Sequence, residues 1–180
     1  MAEIRVAGFG GQGIMRSGYI IGKAAAIYDK KEASLIQSYG PEARGGACSS
    51  QVVVSEGPIN YPFVDNPDVL IVMSQEAYNK FASTLREGGV LLSDADLVKL
   101  EGRGTSNFYP IPATRFAEEL KMRIIANMVM LGFFTGITKV VSVEAMKRTI
   151  PESVPSRFVE LNLQAFDRGY EYVQKTRVSP

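Results

Sequence analysis

Residues that could do chemistry gather in two short stretches. The first is Gly8-Phe9-Gly10-Gly11-Gln12-Gly13, four glycines in six positions directly after an apolar run. Main chain without side chains can approach an anion closely. If a helix starts here, its first unpaired N–H groups and the positive end of its dipole attract negative charge. The second stretch is Ser38-Tyr39-Gly40-Pro41-Glu42-Ala43-Arg44-Gly45-Gly46. Arg44 offers a permanent guanidinium whose fork suits phosphate or carboxylate, and Glu42 is placed to orient it or to pair across an interface. Glycines and a proline give this loop a specified backbone shape. The plainer alternatives are a tight strand-to-helix connection for the first stretch and a solvated loop with an ordinary ion pair for the second.

Spacing narrows the choice of anion. Gly8, Gly10 and Gly13 satisfy G-x-G-x-x-G, with Gly11 as an extra. A phosphate-binding loop of the Walker type needs Lys and then Ser or Thr after the last glycine, but Ile14 and Met15 stand there. A dinucleotide fold needs an acid near the end of the second strand to hold a ribose. Asp29 and Glu32 precede that strand, and its end carries Gln37, Ser38 and Tyr39, which disfavours NAD. Cys48 has no histidine to activate it and reads as a small buried residue rather than a nucleophile.

The elements that must position these residues follow from periodicity. Glu3 to Ala7 reads as a strand, Ile14 to Tyr28 as a helix with Ile14, Gly18, Ile21, Gly22 and Ala25 on one face, and Ala33 to Ser38 as a second strand. Together they form a β-α-β unit. Further strands are expected at Gln51 to Ser55, Asp68 to Met73, Gly89 to Ser93 and Asn107 to Ile111, with a helix over Gln75 to Arg86. Val69 to Met73 is apolar without alternation, as in a strand covered on both faces. Ser55 to Pro58 predicts a turn from which Ile59 to Phe63 returns as a short edge strand. Helices are expected at Phe116 to Arg123, Ile124 to Thr135, Ser142 to Thr149 and Pro155 to Gln174, leaving Thr176 to Pro180 as a loose end.

The expected fold is therefore one α/β domain over residues 1–180. It has three layers and a mostly parallel sheet with a Rossmann-like first β-α-β unit, an edge hairpin and a helical C-terminal part. In such a sheet the loops after the first two strands open on the same edge, so the two glycine-rich loops should face each other across a crevice.

Composition excludes several function classes. Lys plus Arg number 20 and Asp plus Glu 19, so no overall charge draws nucleic acid or anionic lipid, and any anion site is local. Histidine is absent and cysteine occurs once, which removes a histidine triad, a zinc cage, a four-cysteine cluster and an internal disulfide. The longest uncharged apolar run, Ile124 to Thr138, has 15 residues, short of a bilayer span of about 20. Glu3 and Arg5 interrupt any secretory signal at the start. The expectation is a cytoplasmic protein with no membrane segment.

Six blocks in order give the chain a family likeness. GFGGQG, SYGPEARGG, the strand Pro67-Asp68-Val69-Leu70-Ile71, Gly88-Gly89-Val90-Leu91, Ile111-Pro112-Ala113-Thr114 and Ala126-Asn127-Met128-Val129-Met130-Leu131-Gly132 together resemble the gamma subunit of 2-oxoacid:ferredoxin oxidoreductases. SYGPEARGG is the most specific of them. The resemblance implies a complex in which a 2-oxoacid is decarboxylated on thiamine diphosphate. Electrons pass through iron–sulfur clusters to ferredoxin or a similar acceptor, and the acyl group goes to coenzyme A.

By the same resemblance, thiamine diphosphate, Mg and the clusters belong to partner subunits, alpha, beta and a ferredoxin-like delta, and this chain serves assembly and the coenzyme A site. Gly10, Gly11, Gln12 and Gly13, with Ser38, Tyr39, Gly40, Arg44, Gly45 and Gly46, are then the expected coenzyme A or subunit contacts. Among substrates 2-oxoglutarate ranks first, with pyruvate and branched-chain oxoacids as alternatives. A pure scaffold, its glycine loops filled by partner side chains, and a free-standing dinucleotide-binding enzyme remain as competing readings, and a homodimer is a possible state of the isolated chain.

Overall fold

The first strand divides the molecule. In β1 (Ala2–Phe9) Ile4 and Val6 point to one face of the sheet and Arg5 and Ala7 to the other, and all four are buried. Both faces must therefore be covered. The computed structural model describes residues 1–39, 47–99 and 107–176, and it shows six strands in the order β2-β3-β1-β4-β5-β6. These are β2 (Glu32–Ser38), β3 (Ala47–Ser55), β4 (Val69–Val72), β5 (Val90–Asp94) and β6 (Phe108–Ile111). The pairs β1–β4, β4–β5 and β5–β6 are parallel, while β1–β3 and β3–β2 are antiparallel. The sheet is mixed and mostly parallel.

Several details differ from the sequence expectation. β1 and β2 run in the same direction, but β3 lies between them, so the first β-α-β unit is split. The edge hairpin exists, but it is formed by β2 and β3. Ile59 to Phe63 forms no strand. Pro58 and Pro62 remove donors there. The segment is held by single bonds instead: Val64 N donates to Gln51 Oε1 at 2.8 Å, and the Arg5 guanidinium donates to Val64 O. β3 also begins earlier than periodicity suggested. Its Ala-Cys-Ser-Ser start has little intrinsic strand preference but is fully buried between neighbours.

Helix α1 (Ile14–Lys23), prolonged by a π-helical turn Ala24–Tyr28, lies on the Ile4/Val6 face across β3 and β2. Gly18 makes this approach possible, since a Cβ there would meet Ser50 side-chain atoms at 2.5 Å. The same face carries α3 (Ala113–Glu119), α4 (Ala126–Thr138), α5 (Val143–Ser153) and α6 (Val159–Thr176). α4 is buried all round from Ala126 to Ile137, the mark of a central helix. It meets α6 backbone to backbone, for a Cβ on Gly132 would collide with Phe166 O and one on Gly169 with Val129 O. α5 starts at Ser142, whose hydroxyl accepts from Ala145 N at 3.1 Å while the residue donates twice to the Asp29 carboxylate. The opposite face is covered more thinly by α2 (Gln75–Phe81), which continues as a 3-10 turn to Thr84, and by Leu97, Val98 and Phe108.

Candidate functional site

The glycine turn sits where β1 hands over to α1, at the sheet edge formed by the C-terminal ends of the parallel strands. Its four glycines have different reasons to be glycine. A Cβ at Gly8 would meet Gln12 Oε1 at 2.5 Å and Ile14 Cδ1 at 2.8 Å. Gly13 has φ 74° and would place a Cβ 2.5 Å from Asn127 Nδ2 on α4. Both are required by the fold's own packing. Gly10 and Gly11 are exposed, and among the described residues a Cβ on either would meet nothing within 4 Å, although Gly11, at φ 93°, still has a backbone that favours glycine; their main chain is open on that side.

Gln12 has a structural task. Its Oε1 accepts from Phe9 N at 2.7 Å and its Nε2 donates to Met73 O at 2.8 Å, tying the turn after β1 to the end of β4. These are the two strands between which the chain switches sides of the sheet, the place where open α/β sheets hold ligands. Asn127 bonds from behind, its Nδ2 lying 3.4 Å from both Gly13 O and Ser17 Oγ. In front, α1 begins without a side-chain cap and without an acid in its first turn, and Arg16 stands exposed there. That end of the helix carries positive charge only.

Beside the turn lies a pocket of about 320 Å³ lined by Gly11, Gln12, Met73, Leu97, Thr114 and Arg123, with Ile124 and Ala126. Asp94, fully buried at the end of β5, holds the lining residue Thr114 in place. It accepts from Thr114 N at 3.0 Å, Thr114 Oγ1 at 2.5 Å and Asp96 N at 3.1 Å. Burial pushes its carboxyl above the usual range, against the pull of those three donors. Arg123 stands at the mouth, 66% exposed and 3.6 Å from Glu118.

The predicted residues are thus partly assembled. Gly10, Gly11, Gln12 and Gly13 form one turn. Ser38 ends β2 at the same sheet edge, because β1 and β2 are co-directional and Ser38 and Ala7 both pair with Ser49. β3 stands between them, so Ser38 is two strand spacings, roughly 10 Å, from the end of β1. Tyr39 follows and is 73% exposed. Gly40, Arg44, Gly45 and Gly46, with Glu42, lie outside the described residues. The pocket lies on the β4–β5 side of the glycine turn, while the crevice expected between the two glycine-rich loops involves residues outside the described ones.

Sequence reasoning passed over Arg16, Thr114, Arg123 and the role of Asn127. The signal for Asn127 was present, since it is the one polar side chain between Ile124 and Phe134. The inserted β3 also takes the place beside β1 where a dinucleotide fold would bring its ribose-binding acid. Cys48 is buried as expected, and burial raises its thiol pKa. Among the described residues no helix is long and apolar enough to cross a membrane.

The chain matches the pyruvate ferredoxin/flavodoxin oxidoreductase family over residues 3–172. It is 52% identical to the 2-oxoglutarate synthase subunit KorC of Methanocaldococcus jannaschii, over 96% of this chain and 94% of that protein. The crystal structure of a keto/oxoacid ferredoxin oxidoreductase gamma subunit from Geobacter sulfurreducens superposes with a TM-score of 0.85 at 42% identity, covering 95% of this chain and 97% of that one. The 2-oxoglutarate:ferredoxin oxidoreductase of Magnetococcus marinus, solved with 2-oxoglutarate, coenzyme A and succinyl-CoA bound, gives a TM-score of 0.87 at 28% identity. There this chain covers 99% of its own length and 32% of the longer polypeptide. Matched over nearly its whole length in sequence and in fold, the chain belongs to the pyruvate ferredoxin/flavodoxin oxidoreductase family, as a gamma-type subunit of a 2-oxoacid:ferredoxin oxidoreductase.

Proposed function

We propose that this chain is the gamma subunit of a cytoplasmic 2-oxoglutarate:ferredoxin oxidoreductase, and that its glycine turn contributes main-chain contacts to coenzyme A. Thiamine diphosphate, Mg and the iron–sulfur clusters reside on alpha, beta and delta partners, in keeping with a chain that has no histidine and one cysteine. The preference for 2-oxoglutarate over pyruvate or a branched-chain oxoacid rests on the 52% identity to a 2-oxoglutarate synthase subunit.

The observation that carries the coenzyme A contact is the contrast within the turn. Gly8 and Gly13 are used up by packing, whereas the main chain at Gly10 and Gly11 is open beside an uncapped helix start that bears Arg16 and no acid. That surface suits a pyrophosphate, which needs close backbone approach and positive charge. Bound coenzyme A supplies the thiol that receives the acyl group. This chain's part is to hold the anionic end: Gly10 and Gly11 allow the approach, Arg16 adds charge, Gln12 and Asn127 keep the turn rigid, and Ser38, Tyr39, Gly40, Arg44, Gly45 and Gly46 approach the same ligand or the neighbouring subunit.

Anaerobic purification of the native chain tests the assignment. Larger thiamine-binding and cluster-bearing proteins should accompany it, and the assembly should reduce ferredoxin with 2-oxoglutarate faster than with pyruvate. A chain that purifies alone and carries NAD or flavin refutes the reading.

A further inference from the structure

The two edges of the sheet are built differently. β6 is four residues long and contains Pro110, which guards that edge by removing a donor. β2 is seven residues long, pairs with β3 without a bulge from Glu32 to Ser38, and carries neither proline nor charge from Ala33 to Ser38. Among the described residues it has a neighbour on one side only. Its outer row of backbone donors and acceptors is a template for one more strand.

The side chains around this edge match that reading. Leu35, at the middle of β2, is 37% exposed, although it also lies under α1, 3.2 Å from where a Cβ on Gly18 would stand. Tyr19 on α1 and Ile27 in the π-helical turn, which together cover this end of the sheet, are exposed large apolar residues. On the other face Tyr61 and Phe63 are exposed with their rings 5.4 Å apart. Their segment reaches β2 where Ser34 Oγ meets Pro62 O at 3.5 Å. Apolar surface therefore flanks the open edge above and below.

We propose that β2 pairs antiparallel with β2 of a second copy of this chain, about a two-fold axis through Leu35, joining two six-stranded sheets into one. The sequence of the strand selects a second copy. With Leu35 opposite its own image, Ser34 faces Ile36, Ala33 faces Gln37 and Glu32 faces Ser38, so no like charges meet and the aliphatic centre is self-complementary. The axis stands perpendicular to the sheet, which puts both α1 helices on the same face, one from each copy, flanking the new seam.

Analytical ultracentrifugation of the full chain over roughly 1–200 µM tests this, with Leu35→Lys and Leu35→Glu as variants. The wild type should dimerise, and each variant should bind itself at least about 100-fold more weakly, because like charges then face each other on the axis. An equimolar mixture of the two variants should restore a dimer. A wild type that stays monomeric, a dimer indifferent to both charges, or a mixture that stays monomeric overturns the proposal. Hydrogen exchange of the wild type gives a readout that needs no variant: amides of residues 33–38 should exchange faster on dilution. Exchange independent of concentration overturns the pairing.

Discussion

Replacing Gly13 by alanine isolates the part of the glycine turn that the fold itself demands. The substitution places a methyl group 2.5 Å from Asn127 Nδ2 and forces alanine into a left-handed backbone with φ 74°. The backbone term costs about 1–2 kcal/mol and the overpacking a further ~1–3 kcal/mol. A loss near 3 kcal/mol lowers Tm by about 6–12 °C in a chain of this size. Gly10→Ala has neither term and should stay within about 0.5 kcal/mol of wild type. Urea unfolding of Gly13→Ala, Asn127→Ala and the double variant separates the two costs, since truncating Asn127 removes the clash and leaves the strained backbone. The double variant should therefore lose less than the sum of the single ones. Strict additivity, or equal stability of the Gly10 and Gly13 variants, refutes the division of the turn into packed and open glycines.

The crossing of α4 and α6 should be less forgiving. Gly169→Ala drives a methyl group into Val129 O, so helices separate or the chain unfolds; a loss above about 4 kcal/mol in urea melts is expected, and a loss below ~1 kcal/mol contradicts the close crossing. Stability should also depend on pH through Glu152, whose carboxyl is held below its usual range by a hydrogen bond from Lys23 and another from Tyr28. A carboxyl with a lowered folded-state pKa stabilises above its unfolded value, near 4.3, and that contribution disappears as pH falls through the folded value. Glu152→Gln should accordingly be less stable than wild type at pH 7 and equally stable in acid below both values. A pH-independent difference contradicts the titration.

Most of the architecture was legible because it is written in short-range pattern. Val69 to Val72 announced a strand covered on both faces, and the glycines at 18, 132 and 169 stand where elements touch. β3 was only half legible. Its start, Ala47 to Ser50, derives its strand state from burial under α1 and against β1, a long-range cause that propensity does not register. That omission hid the hairpin and put β2 beside β1. Residues such as Thr114 and Arg123 come to the glycine turn from more than a hundred positions away. Only the folded sheet makes them neighbours.

Coenzyme A affinity of the assembled oxidoreductase, measured by calorimetry with wild-type and Gly10→Val gamma chains, tests the main claim most directly. Among the described residues nothing stands within 4 Å of a Cβ at Gly10, so the variant chain should fold and assemble while its side chain obstructs the approach of the ligand. A Kd raised by about tenfold or more, equivalent to ~1.4 kcal/mol, is the expected result. Unchanged affinity in a fully assembled complex contradicts it.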